Sequence, residues 1–307
     1  MHTSGSILRT ITEQVRVLLD LPTVDAKYSD NYMISNLVGS SLVNILARLH
    51  MTNQAPYIFR LPITIVEGQT SYELPPNVQE VLRVAGVDDQ GAIVYDPRPG
   101  HTREWGGEVW RLTGAPGAYS VEMGPELIKK QTVTVYYVAN GDMIPHLGTG
   151  SIATSGTKHV LTLATSPTLG LVDRRPNAMQ GMILRILPTG TASQIESRII
   201  ESQVVSSGSW KVTVPAFSGQ TPPVASIEYE VVPMGFYALV DAVAADIAYK
   251  LGNKATRGQL DNIMLQYKKA MKTIGDMMTN VQMREGTSWH RNTVDRLENA
   301  GIFNKGL

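Results

Sequence analysis

The residue types able to do metal, acid–base or stacking chemistry are present in this chain, but their spacing serves none of these well. Six histidines, His2, His50, His101, His146, His159 and His290, are scattered, and no two stand three or four apart. That spacing is what turns two imidazoles toward one metal from a helix face, so a metal site is not expected. Asp88-Asp89, or Glu104 with Glu108, could in principle form the acid and base of a glycosidase, although paired acids are ordinary on solvated turns and are read here as such. Trp105 and Trp110 flank Gly106-Gly107 and could stack on a sugar ring, whereas aromatic residues around a turn more often pack across strands. No phosphate-cradling glycine loop ending in Lys-Ser or Lys-Thr appears, nor a G-x-S-x-G elbow. Cysteine is absent, which removes disulfides, thiolate nucleophiles and Cys-based zinc sites together. We expect no enzyme activity and no cofactor.

Something other than a reactive centre must therefore account for the composition. The 307 residues are 43% hydrophobic and only 18% charged, and the formal net charge is zero from 27 basic and 27 acidic side chains. Zero net charge provides no global field toward nucleic acid or an anionic membrane, so any DNA contact must be local. A low charge fraction hints that other subunits cover part of the surface. Glu13 and Asp20 interrupt the N-terminal apolar stretch where an export signal would need its apolar core. No run approaches the roughly 18 apolar residues that cross a bilayer, and the chain is expected to be soluble without a membrane partner.

The elements alternate in period along the chain. Ile7, Leu8, Ile11, Val15 and Leu18 mark one helical face that Leu21-Pro22 ends. Ser29 or Asp30 caps a second helix through Leu37, Val38, Leu42, Ile45, Leu46 and Leu49. From Tyr57 the period becomes two, and strands are predicted within 57–65, 71–87, 92–95, 108–113, 118–123 and 132–138. Between Gly141 and Val224, Gly, Ser, Thr and Pro surround short apolar runs at 160–164, 181–187, 195–205 and 210–214, the pattern of a small all-β unit. The pieces Gly156–Leu163 and Gly208–Val214 look alike and are read as two similar strands, since one short match establishes no repeat. Helix returns with Pro233 in a first turn, then Phe236, Leu239, Val240, Val243, Ala244, Ile247 and Leu251, and stops at Gly252-Asn253. Thr256 with Gln259 forms a capping-box pair before the stripe Leu260, Ile263, Met264, Tyr267, Met271, Ile274, Met278 and Val281.

The expected class is α+β, with terminal helices in a bundle, a central β-sheet portion and an inserted small all-β barrel or sandwich. The divisions are 1–140 for the N-terminal helices and β segment, 141–224 for the insertion, 225–283 for a C-terminal helical hairpin, and 284–307 for an extended tail. Trp289, Arg291, Leu297, Ile302 and Phe303 in that tail are candidate anchors for another subunit or partner, or for the chain's own body. Lys250, Lys254, Arg257, Lys268, Lys269, Lys272 and Arg284 outnumber Asp261 and Asp276 over the same helices. A solvated face explains this excess, and so does a surface turned toward an acidic partner or DNA. The methionines of the last helix read as core filling.

One segment resembles a known family. Tyr57-Ile-Phe-Arg-Leu-Pro-Ile-Thr-Ile-Val-Glu-Gly-Gln-Thr-Ser-Tyr-Glu-Leu-Pro-Pro, continuing to Val84, is similar to the strand and "Gly-x-x-x-Tyr-x-Leu-Pro" turn of tailed-bacteriophage head-to-tail adaptor proteins of the podophage type. Two helices precede it as in that family, and Pro-x-Gly-Phe-x-x-Leu-Val followed by Tyr-Lys-Lys-Ala resembles the family's closing helices. The long β segment 141–224 departs from compact members. The resemblance implies a virion neck protein that assembles in the bacterial cytoplasm as a dodecameric ring. That ring would bind the portal on one side and a tail nozzle or tube, with fibres, on the other, while viral DNA crosses its lumen. It also implies that residues 284–307 thread into the portal. A carbohydrate-binding or glycan-degrading tail protein using Trp105, Trp110 or Trp210 is the alternative, and another neck or tail piece such as a terminator is a third.

Overall fold

The computed structural model describes residues 5–22, 27–52, 57–87, 93–95, 98–99, 109–129, 132–187, 195–206, 208–219, 222–252 and 255–284. It is a mixed α+β protein with antiparallel sheets, as expected. Helix α1, Ile7–Leu19, opens the chain, followed by a short α2, Asp30–Tyr32, a π-helical segment Met33–Val38, and α3, Gly39–Thr52. Ser29 caps α2 by accepting from the Tyr32 amide at 3.2 Å. Eight strands follow: β1 Ile58–Thr64, β2 Ser71–Glu73, β3 Val78–Val87, β4 Ile93–Tyr95, β5 Arg98–Pro99, β6 Val109–Ala115, β7 Ala118–Met123 and β8 Thr132–Ala139. They form two sheets, in the orders β1-β8-β3-β4 and β2-β7-β6-β5.

Strand β8 is buried from Val133 to Ala139 on both faces, which a central strand covered on two sides requires, and Tyr137 stacks on Phe59 at 5.6 Å. The Gly-x-x-x-Tyr-x-Leu-Pro residues have a local structural task. Gly68 takes φ +81° in the turn, and the Tyr72 hydroxyl closes the loop by accepting from the Val66 amide at 2.9 Å and donating to the Gln69 carbonyl at 3.2 Å. Leu74 then enters the core.

The remaining strands are β9 His146–Ser155, β10 Lys158–Thr162, β11 Leu169–Gly170, β12 Ile183–Ile186, β13 Glu196–Ile199, β14 Ser202–Ser206, β15 Ser209–Pro215 and β16 Val224–Val232. Seven run in the order β13-β12-β16-β9-β10-β15-β14, with β11 beside β9. The edge strands β13 and β14 are joined by only Ile200-Glu201, so the sheet curls until its two edges meet through the chain. The two similar pieces are neighbours, β10 and β15, each the second strand of a tight hairpin, and their buried residues pair as His159 with Val214 and Leu161 with Val212.

Four sequence expectations change. The run 195–205 is two strands, broken at the buried Ile200. Strand β9 has no apolar alternation to announce it, because Gly148 and Gly150 make room for the Tyr229 ring, and a Cβ at Gly150 would stand 2.4 Å from the Thr162 carbonyl oxygen. Strand β16 belongs to the same sheet, which therefore continues to Val232, past the expected boundary at 224. Pro233 precedes its helix, whose cap is Gly235 with φ +68°.

Helix α4, Phe236–Leu251, is the centre of the helical body. Every residue of its expected stripe is buried, and so are Ala242, Ala245 and Ala248, because α1, α3 and α5 all pack on it. Small side chains at those positions let three helices approach closely. Helix α5, Arg257–Arg284, starts with the expected capping box: the Gln259 amide donates to Thr256 Oγ1 at 3.3 Å, and the Thr256 amide donates to Gln259 Oε1 at 2.8 Å. Thr256→Ala should lower unfolding free energy by about 1 kcal/mol in a denaturant titration.

The β sheet is fastened to α1. Fully buried Glu230 on β16 accepts from Ser6 Oγ at 2.8 Å, the Leu8 amide at 2.8 Å and the Ile7 amide at 3.1 Å, and it pairs with Arg185 of β12. Arg185 also donates to the Gly5 carbonyl at 2.9 Å, and Arg9 bridges to Glu228 at 2.6 Å. A carboxylate at a helix N-terminus satisfies orphan amides and meets the positive end of the helix dipole. Buried apolar residues from the helices and from all three sheets form one continuous cluster.

Candidate functional site

Among the described residues, those first suspected of chemistry are not gathered in one place. Trp110 is 3% exposed and paired across the β6–β7 hairpin with Met123, as cross-strand packing requires, while Trp210 is partly buried and packed against the core. Trp105, Asp88, Asp89, Glu104 and Glu108 lie outside the described residues, as do His2, His101 and His290. His159 is buried and accepts from the Phe217 amide at Nδ1. His50 is lowered below its ordinary pKa by burial. Among the described residues no three His, Asp or Glu side chains are grouped to hold a metal.

His146 is a separate case. It is fully buried at the start of β9, edge-on to Tyr229 at 5.6 Å, and neither ring nitrogen has a hydrogen-bond partner among the described residues. Burial, opposed in part by the Asp173 carboxylate, pushes its pKa down to about 4. Asp173 is itself held by Arg175, which also pairs with Asp142. Burying the unpartnered imidazole carries a desolvation cost at any pH, and acidification adds the cost of charging it.

The expected basic face divides. Lys250 is occupied internally, bridging to Asp246 at 2.7 Å and donating to Ser40 and Ser41 hydroxyls at 3.0 Å. Lys254 lies outside the described residues. Arg257, Lys268, Lys269 and Lys272 are exposed on α5, and none forms a salt bridge within the described residues. At 100° per residue, Arg257, Asp261, Leu265, Lys268 and Lys272 fall in one row, while Lys269 turns aside. Ile263, Tyr267 and Ile274 hold the opposite stripe in the core, as the periodicity expects. The proposed anchors Trp289, Arg291, Leu297, Ile302 and Phe303 lie outside the described residues.

A feature that sequence reasoning missed lies beside Lys269. Helices α1, α4 and α5 enclose an open groove of about 720 Å³ lined by Glu13, Val17, Tyr237, Asp241, Lys269 and Met277, among others. Val17 is 81% exposed and Tyr237 80%, apolar side chains on helix faces left uncovered by the described chain. The only sequence signals were an aliphatic residue off the α1 stripe and a tyrosine off the α4 stripe. Neither stands out until the three helices converge. No family model matches the chain, and no curated protein matches it.

Proposed function

We propose that this protein is a virion structural component, a podophage-type head-to-tail adaptor that assembles as a ring of about twelve copies. It would join the portal to the tail nozzle or tube, with fibres nearby, and line the path of exiting DNA without enzymatic action or cofactor. Its place would be the virion neck, after assembly in the bacterial cytoplasm. In this reading 1–140 and the C-terminal helices build one core with a terminal helical bundle, the β region that begins at 141 and whose sheet runs to Val232 is an inserted β barrel, and 284–307 reaches the portal through Trp289, Arg291, Leu297, Ile302 and Phe303.

The observation that carries the proposal is α4 packed by α1 and α3 from one end of the chain and by α5 from the other, with the β strands lying between them in sequence. This is the helix, strand, helix order that the segment 57–84 and the closing helices resemble. The exposed Arg257, Lys268, Lys269 and Lys272 then face either DNA or an acidic partner surface. Mass measurement of the purified protein, alone and with portal rings, is the direct test. A chain lacking Arg284–Leu307 should stay folded and soluble yet no longer bind portal rings; retained binding refutes the tail assignment.

A further inference from the structure

Two surfaces of the helical body are left uncovered by the described chain, and their chemistries match. The groove between α1, α4 and α5 presents the exposed apolar side chains Val17 and Tyr237 and the acidic side chains Glu13 and Asp241, with Lys269 on its α5 wall. The outer ridge of α5 has an apolar centre at Leu265, 64% exposed, flanked by Lys268 and Lys272 and, a few turns earlier, Arg257. Asp261 lies in the same row and Asp276 near it, which leaves the ridge basic.

From this we infer that the α5 ridge of one copy seats in the α1–α4–α5 groove of a second copy. Leu265 enters beside Val17 and Tyr237, and Lys268 and Lys272 face Glu13 and Asp241. Helices α1, α4 and α5 wall the groove, and a further helix lying along it would pack as helices of a bundle do. Opposite charges around an apolar anchor fix register and disfavour other pairings. Groove and ridge are different surfaces of one chain, so the contact is head-to-tail, and such contacts close into rings when the rotation per copy permits. The inference rests on the ring reading above and takes its partner-facing option for the basic face.

The chain has no cysteine of its own, so introduced thiols report contacts between copies without background. Oxidising an equal mixture of full-length Val17→Cys and Leu265→Cys chains should give the mixed disulfide dimer well above either homodimer. In sedimentation at about 50 mM salt, Glu13→Lys/Asp241→Lys and Lys268→Glu/Lys272→Glu should each weaken self-association at least about tenfold, as should about 500 mM salt on the natural chain. Mixing the two reversed proteins restores charge matching at both surfaces and should restore assembly. The interface is overturned by a chain that stays monomeric, by association indifferent to both reversals, or by failure of the mixture to recover. Association seen only after deleting residues 285–307 also overturns it, because that result places the chain's own end in the groove. Portal binding without the mixed disulfide removes this interface and leaves the adaptor reading standing; the mixed disulfide without portal binding does the reverse.

Discussion

Replacing Glu230 with alanine is expected to lower the unfolding free energy by about 3–5 kcal/mol, a large share of what holds an ordinary domain together. The substitution leaves Arg185, whose side chain is 13% exposed, as a charge without its carboxylate, and it strips the acceptor from the Ile7 and Leu8 amides and the Ser6 hydroxyl. Breaking one side of a buried pair costs more than removing both, since the survivor keeps its desolvation penalty without compensation. Glu230→Leu with Arg185→Met should therefore recover part of the loss. Denaturant titration followed by circular dichroism reads both, and an alanine variant within about 1 kcal/mol of the natural protein would show that the lock is not holding α1 to the sheet.

Acidification gives the second large effect. His146 has its folded pKa lowered to about 4 from an ordinary value of 6.5, so the unfolded chain takes up a proton at a pH where the folded chain cannot. Its contribution is fully present above pH 6.5 and is lost as pH falls through that window. The total reaches about 3 kcal/mol near pH 4. His146→Phe keeps an aromatic edge toward Tyr229 while removing the titration, and should flatten the stability profile between pH 6.5 and 4. A profile in which the variant and the natural protein lose stability in parallel would assign the acid sensitivity elsewhere. One other source is Glu196, where burial pushes the carboxyl up but the Gly219 and Ser218 amides, the Ser218 hydroxyl and Arg198 together hold it below its usual range. Its contribution is present above the usual carboxylate pKa and is lost at more acid pH, which separates the two windows.

Much of the local structure was legible because it depends on neighbours in sequence. The α4 and α5 stripes, the Thr256–Gln259 cap, the Ser29 cap and the alternation of β1 all arise from side chains within a few residues of one another, and periodicity reports them directly. The similarity of 156–163 to 208–214 was visible too. Their adjacency was not, because pairing between β10 and β15 closes a long loop that no local pattern encodes. Strand β9 escaped for a related reason: its glycines fit a tyrosine from β16, far along the chain.

The candidate site divides along the same line. Residue types and spacing alone already spoke against metal and thiol chemistry, and showed a basic excess along the C-terminal helices. Only the tertiary structure separated the internally paired Lys250 from exposed Lys268 and Lys272, placed Glu230 under the first turn of α1, and opened a groove between helices from opposite ends of the chain. Amphipathic period records which face of a helix is apolar, whereas the partner of that face, and any face left over, depends on distances that exist only once the chain has closed on itself.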